Sequence, residues 1–347
     1  MPPLIYTLHS GQLYGTERMA LATLAGLHRQ YRPVLLAPGG PVHEAAARLG
    51  IASHPTDNAT QLARRLFILL RGCRQAALMT TGVSHSLIAA TAARLTGCRL
   101  AHIHVVHGGT EERLSYGRKR LLERLPVTLV AVSAFVRDRL LAHGCDPARI
   151  EVIENFHTPA ADPVPDRCTA GALSRVAVVS RIDPIKRIDL LLAAVARAPD
   201  LQSVTFDLFG RGSDFDALRE AARPMSNIRF HGFVPDVAQR LPGYDLLLHT
   251  CAEEPFGLAI LEAMSARVPV LVPNAGGAGS LIEDGITGFC FPANCAGGLA
   301  RRLTEVGGLS PDIRARVAAA AEQGLHTRFA APRGITRYAD LLERVAA

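Results

Sequence analysis

Short apolar runs alternate with helix-patterned segments along the whole 347-residue chain, and one proline-rich stretch interrupts the series near its middle. Leu4–Leu8, Val34–Ala37, Ala76–Met79, Ala101–Val106 and Leu129–Val132 precede the break. Val176–Val179, Val204–Phe209, Ile228–Phe230, Leu246–Leu248 and Val268–Val272 follow it. Runs of this length and composition suit strands buried on both faces. The intervening segments, such as Arg18–Arg29 and Ala259–Ser265, have room for helices. Strand and helix in strict alternation imply parallel sheets with helices on both faces. The interruption, Thr158–Gly171, holds three prolines and little apolar content, so it reads as a linker. The expected organisation is α/β, with two doubly wound, Rossmann-like domains facing a central cleft. Residues 1–160 form the first domain, 161–171 the linker, 172–330 the second domain, and 331–347 a terminal helix. In such sheets ligands sit outside the carboxyl ends of the strands.

Two segments of the second half place charge at those ends. Ser180-Arg-Ile-Asp-Pro-Ile-Lys186 follows the run Val176–Val179 and precedes the helical pattern Ile188–Val195. Arg181 and Lys186 therefore lie on a strand-to-helix loop, where a guanidinium fork and an ammonium can neutralise a diphosphate. Of the 38 basic side chains only Lys119 and Lys186 are lysines, so lysine at 186 departs from the chain's own habit. In Glu254-Pro-Phe-Gly-Leu-Ala-Ile-Leu-Glu262, two carboxylates bracket a turn and the opening of a helix. A helix start presents free N–H groups to a phosphate. If the helix begins at Phe256, Glu262 stands roughly 9 Å along its axis, too far to grip the group that Glu254 grips. A sugar nucleotide, with hydroxyls at both ends of a diphosphate, has that layout. Taken singly, each segment also fits solvated surface charge.

The set and its order resemble a known family. Arg181 and Lys186, then Glu254-Pro-Phe-Gly-Leu with Glu262, then Val268-Pro-Val-Leu-Val and Ile282-Glu-Asp-Gly-Ile-Thr-Gly288 are similar to the retaining glycosyltransferases of family 4, the group 1 enzymes of GT-B fold. In the first half the resemblance extends to the glycine-containing loop Gly11–Arg18, to Val132-Ser133 and to Val152-Ile-Glu-Asn155. It implies transfer of a sugar from a nucleotide donor, expected to be a UDP-sugar, to a hydroxyl with retention of configuration. Arg181 and Lys186 would stabilise the departing diphosphate, with amides near Phe256, Gly257 and Leu258 assisting. Glu262 would hold the ribose and Glu254 a hydroxyl of the transferred sugar. Gly15 of the first loop, and Gly210 and Gly212 after Val204–Phe209, would let backbone approach the donor. His107, after Ala101–Val106, would orient the donor sugar or the incoming hydroxyl, with His9 as a second candidate. The terminal helix would cross back to the first domain. No cofactor is implied, and Asp214-Phe-Asp216 reads as an acidic first helical turn rather than a metal site. Tyr14, Arg267 and Ser280 depart from the family pattern, which bears on donor and acceptor choice.

Composition narrows the setting. With 48% hydrophobic and 20% charged residues the chain is globular. No apolar stretch approaches the ~18 residues of a spanning helix, and Met1–Leu8 lacks a signal peptide's basic start. Seven scattered cysteines suggest a reducing cytoplasm rather than a disulfide framework. Residues 1–160 hold 18 basic and 10 acidic side chains, whereas residues 161–347 hold 20 and 21. The excess positive charge thus belongs to the first half, where Arg113–Arg124 alternates basic and apolar residues. That stretch fits either a solvated face or peripheral contact with an anionic membrane, on its inner face, near a lipid-linked or cell-surface glycan acceptor. No nucleic-acid motif accompanies it. Two rival readings share the fold class: a non-catalytic subunit serving a partner transferase, and a sugar-nucleotide epimerase.

Overall fold

The computed structural model describes residues 1–108, 112–158, 171–235 and 237–346, without the side chains of 112 and 113. The chain divides into two compact units, residues 1–158 with 331–347, and residues 159–330.

In the first unit seven strands form one parallel sheet. They are Pro3–Thr7 (β1), Arg32–Ala37 (β2), Ala52–Pro55 (β3), Gln75–Thr80 (β4), Arg99–Val106 (β5), Thr128–Ala131 (β6) and Ile150–Val152 (β7). Their order is β3-β2-β1-β4-β5-β6-β7. All five residues of β1 are buried, because helices cover both faces, and this explains its unbroken apolar run. One face packs Ile5, Val34, Leu36 and Leu78 against Leu62, Leu66 and Ala89 of the helices Ala59–Leu70 and Val83–Thr96. The terminal helix Ala331–Ala346 belongs to this unit and buries Tyr338, Leu341 and Leu342.

The second unit carries six parallel strands: Arg175–Val179 (β8), Thr205–Phe209 (β9), Ile228–Gly232 (β10), Leu246–Leu248 (β11), Val270–Pro273 (β12) and Phe289–Phe291 (β13). The order β10-β9-β8-β11-β12-β13 is the doubly wound order 3-2-1-4-5-6, with β8 as first strand. The direction of winding reverses between β8 and β11 here, and between β1 and β4 in the first unit. Val176, Val178, Phe206, Leu208 and Leu248 build the core with Leu191, Leu299 and Leu303.

Three strands had no apolar run to announce them. β3 is Ala-Ser-His-Pro, β7 is Ile-Glu-Val, and β13 is three residues between Gly288 and Pro292; each sits at a sheet edge. The linker expected over 161–171 lies outside the described residues except for Gly171, as does the side chain of Arg113. The basic stretch needs a correction. Within the 3-10 segment Gly117–Arg124, Arg118, Arg120 and Arg124 are exposed, but Lys119 is only 7% exposed and belongs to the interior. Among the described residues no helix is long and apolar enough to cross a membrane.

Candidate active site

The second unit gathers charge where its winding reverses. The loop after β8 carries Arg181 and Lys186, and the loop after β11 carries Glu254. Lys186 Nζ donates to Glu254 Oε2 at 2.7 Å, and the two side chains are 14% and 12% exposed. Burial by itself disfavours the Lys186 ammonium, yet the facing Glu254 carboxylate outweighs it and raises the lysine pKa. Burial likewise disfavours the carboxylate, but Lys186 and His249 hold Glu254 well below the usual carboxylate range. His249 Nε2 stands 3.1 Å from the same oxygen, close enough to support the charge although short of hydrogen-bond alignment. Thr250 Oγ1 donates to the Lys186 carbonyl at 2.6 Å, locking the two loops together. Arg181 lies on the same loop, half-exposed, with Nη1 2.8 Å from Asp183 Oδ2.

The turn after Glu254 differs from expectation in one respect. The helix begins at Leu258 and runs to Ser265, because Gly257 has φ 101° and cannot be helical. Glu262, half-buried, is then one turn from the helix start, about 6 Å rather than 9 Å along the axis. Phe256 is fully buried and meets Phe329 edge-on with ring centroids 5.9 Å apart, so its ring belongs to the core. Gly210 and Gly212 permit close backbone approach to the protein itself. A Cβ on Gly210 would stand 1.8 Å from the Ser180 carbonyl oxygen, and one on Gly212 would stand 2.4 Å from that of Ile182. They hold the loop from Ser180 to Asp183 in place. Asp214 precedes the helix Phe215–Ala221, and Asp216 sits in its first turn, 3.5 Å from Arg219.

Two groups escaped sequence reasoning. His249 is a buried histidine at the end of β11, indistinguishable by sequence from other histidines. Gly276-Gly277 opens the short helix after β12, and Gly277 N donates to the Glu254 carbonyl at 2.6 Å. A Cβ on Gly277 would stand 2.1 Å from the Pro255 carbonyl oxygen, so only glycine lets this turn seat the Glu254 segment. The glycine doublet after an apolar run was the available signal. Of the departures, Ser280 Oγ donates to the Gly277 carbonyl, and Arg267 adopts φ 53° while pairing with Glu322 at 2.7 Å.

His249, Cys251 and Glu254 place one ligand-type atom each within 4.8 Å of one another. The donor set suits a cation poorly. Burial first of all pushes the Cys251 thiol up to about 11, and the Lys186 ammonium already occupies the carboxylate oxygen.

The remaining candidates lie in the first unit. Gly15 opens the helix Gly15–Gly26, behind Tyr14, whose N–H donates to Glu17 Oε2 at 3.1 Å. His107 follows β5, and burial, then His9, lowers its pKa to about 3, so its ring is neutral at pH 7.

Family models match both halves: one described as Glycosyltransferase Family 4 over residues 13–159, one as Glycosyl transferases group 1 over residues 173–323. A UDP-N-acetylglucosamine–peptide N-acetylglucosaminyltransferase GtfA subunit of Streptococcus gordonii is 35% identical over 120 residues, 33% of this chain and 24% of its own length. A D-inositol 3-phosphate glycosyltransferase of Mycobacterium tuberculosis is 28% identical over 219 residues, 58% of this chain and 45% of its own. The chain thus spans less than half of these curated relatives. The crystal structure of the Anabaena protein HepE with UDP-glucose superposes with TM-score 0.83 at 20% identity, covering 99% of this chain and 100% of that one. That likeness establishes the fold, GT-B.

Proposed function

This chain belongs to the group 1 glycosyltransferases of family 4, and from that premise we propose that it transfers a sugar from a nucleotide donor to a hydroxyl. The observation that carries the reading is the buried Lys186–Glu254 pair at the second sheet's switch point, with Arg181 on the same loop. Charge develops on the departing diphosphate, and preorganised cations there lower the barrier. An ammonium has three donors, so Lys186 keeps two for phosphate oxygens while the third holds Glu254. Both contacts of that carboxylate fall on Oε2, and Oε1 makes none among the described residues. Oε1 is the acceptor offered to a hydroxyl of the transferred sugar. Glu262 takes the ribose, and the N–H groups near Gly257 and Leu258 meet the phosphates. Neutral His107 orients the donor sugar or the acceptor hydroxyl. Retention follows front-face attack, the diphosphate accepting the acceptor's proton. No divalent metal is needed where cations and a helix start already offset the charge.

The donor reading is a UDP-sugar, supported by the UDP-glucose bound to HepE and by the UDP-sugar in the GtfA subunit's name. The acceptor reading is a lipid-linked or cell-surface glycan, with the enzyme in the cytoplasm and peripheral at the membrane's inner face. A non-catalytic subunit would have no use for a buried, preorganised cation–carboxylate pair. The test is thermal unfolding with UDP and with GDP, followed by a donor screen for released nucleotide after exhaustive chelation. UDP should raise the melting temperature, and a UDP-sugar should turn over without metal. No shift with either nucleotide would favour the subunit reading.

A further inference from the structure

The first unit gathers basic groups where its own winding reverses, and none of them has a carboxylate partner among the described residues. His9 follows β1, and its Nδ1 lies 3.1 Å from Thr81 Oγ1, beyond β4. The helix Val83–Thr96 starts there behind Gly82, which has no side chain to cap the free N–H groups of the first turn. His85 lies in that turn; its ring hydrogen-bonds the Thr7 backbone, while Nδ1 is buried and unpartnered. Below it His104 is fully buried, its Nδ1 3.0 Å from Thr80 Oγ1 and 2.9 Å from Ser86 Oγ, while Nε2 has no partner. Thr7 Oγ1 and His107 Nε2 are also buried without partners. Lys119, 7% exposed, makes no side-chain hydrogen bond or ion pair among the described residues. No carboxylate of the described residues pairs with any of these five basic groups.

Buried polar atoms without partners are costly, and beside the buried Lys119 ammonium, which faces no carboxylate of the described residues, they mark a place for an anionic ligand. We propose that this cluster, running from exposed His9 inward to Lys119, binds an anionic group, a phosphate or a carboxylate, carried by the acceptor. The anion site stands on the first unit alone; its assignment to the acceptor rests on the glycosyl-transfer reading. The electrostatics agree. Burial first, then Lys119, lowers His9; burial, then His9, lowers His85; burial, then Lys119 and the neighbouring histidines, lowers His104. Burial lowers Lys119 to about 8, with the Cys145 thiol opposing and Arg118 adding to the shift. Basic groups that depress one another in this way take up protons when an anion arrives.

The full chain is titrated with inorganic phosphate, glycerol 1-phosphate, glucuronate and neutral glycerol while histidine ring signals are followed by NMR. The three anions should move the signals and raise the titration midpoints of His9 and His85, whereas glycerol should not. Lys119→Met and, separately, His85→Gln should each weaken anion binding about tenfold or more, roughly 1.4 kcal/mol, and leave the UDP thermal shift intact. Binding of phosphate but not of glycerol 1-phosphate or glucuronate would overturn the acceptor assignment. Histidine signals that no anion moves, or shifts that survive both substitutions, would overturn the site itself. Anion binding without a UDP shift would instead count against the donor reading and leave this site standing.

Discussion

Lys186 Nζ lies 2.7 Å from Glu254 Oε2 across 68 positions of sequence, joining the two loops that flank the second sheet's reversal. The residues read from sequence as separate ligands of phosphate and sugar are one buried unit. Lys186 is therefore structural as well as the proposed partner of the leaving diphosphate. Lys186→Met should cost about 3–5 kcal/mol by leaving a buried carboxylate unpaired, whereas the double variant with Glu254→Gln should cost clearly less than the two singles summed. Urea unfolding of the four proteins measures the coupling. Additive costs would show that the pair is not an energetic unit.

The same pair sets a pH dependence. Glu254 is held below the usual carboxylate range, so its contribution is fully present above the unfolded value of about 4.3 and is lost as pH falls through the folded value. Lys186, raised, stays charged throughout this window. The stability gap between the protein and Glu254→Gln should be constant near neutrality and shrink below about pH 4. A gap that holds or widens there would refute the depressed carboxylate.

Arg181 should separate function from folding. It is 53% exposed and paired with Asp183, an arrangement worth about 1 kcal/mol or less. Arg181→Ala should unfold at nearly the same urea concentration, yet turn over about a hundredfold more slowly if its guanidinium stabilises the leaving diphosphate. Near-normal turnover at saturating donor would remove Arg181 from the site.

Gly277 offers a test of positioning. Gly277→Ala places a Cβ 2.1 Å from the Pro255 oxygen and 2.8 Å from the Glu254 oxygen, so the segment bearing Glu254 must move. The expected cost is about 1–3 kcal/mol, with turnover lowered even where circular dichroism shows a folded protein. Gly297→Ala, whose Cβ meets nothing within 4 Å, is the control and should be neutral or mildly stabilising. Full activity in folded Gly277→Ala would mean that this turn does not position Glu254.

What the sequence disclosed follows from the reach of each signal. Strand-to-helix alternation is local, and Ile188–Val195 is a helix over the span its pattern indicates. The edges β3, β7 and β13 are short or half-polar and leave no such trace. Pairing of Lys186 with Glu254 is set by strand order, which no local pattern encodes. The helix start at Leu258 turns on one dihedral angle, that of Gly257. Lys119 shows the same limit most plainly. Flanked by Arg118 and Arg120, it reads as one charge of an exposed stripe, and only the packing of that segment sends it inward.

That burial decides which side chains a test for membrane contact can change. Arg118, Arg120 and Arg124 are exposed; Leu121, 55% exposed, stands between them, and Leu114, 40% exposed, precedes them in the chain. A surface of this kind, on the half of the chain that carries the excess positive charge, suits an anionic interface. Each basic side chain there contributes up to about 1 kcal/mol, screened by salt over a Debye length. The variant to make is Arg118→Ser with Arg120→Ser and Leu121→Ser, leaving Lys119 untouched so that folding is not confounded. The protein should co-sediment with vesicles containing phosphatidylserine at low salt, less at high salt, and hardly at all with neutral vesicles. The triple variant should lose most of that binding while keeping its melting temperature. Equal, negligible binding to both kinds of vesicle would leave the stretch a solvated face and point to an acceptor free in solution.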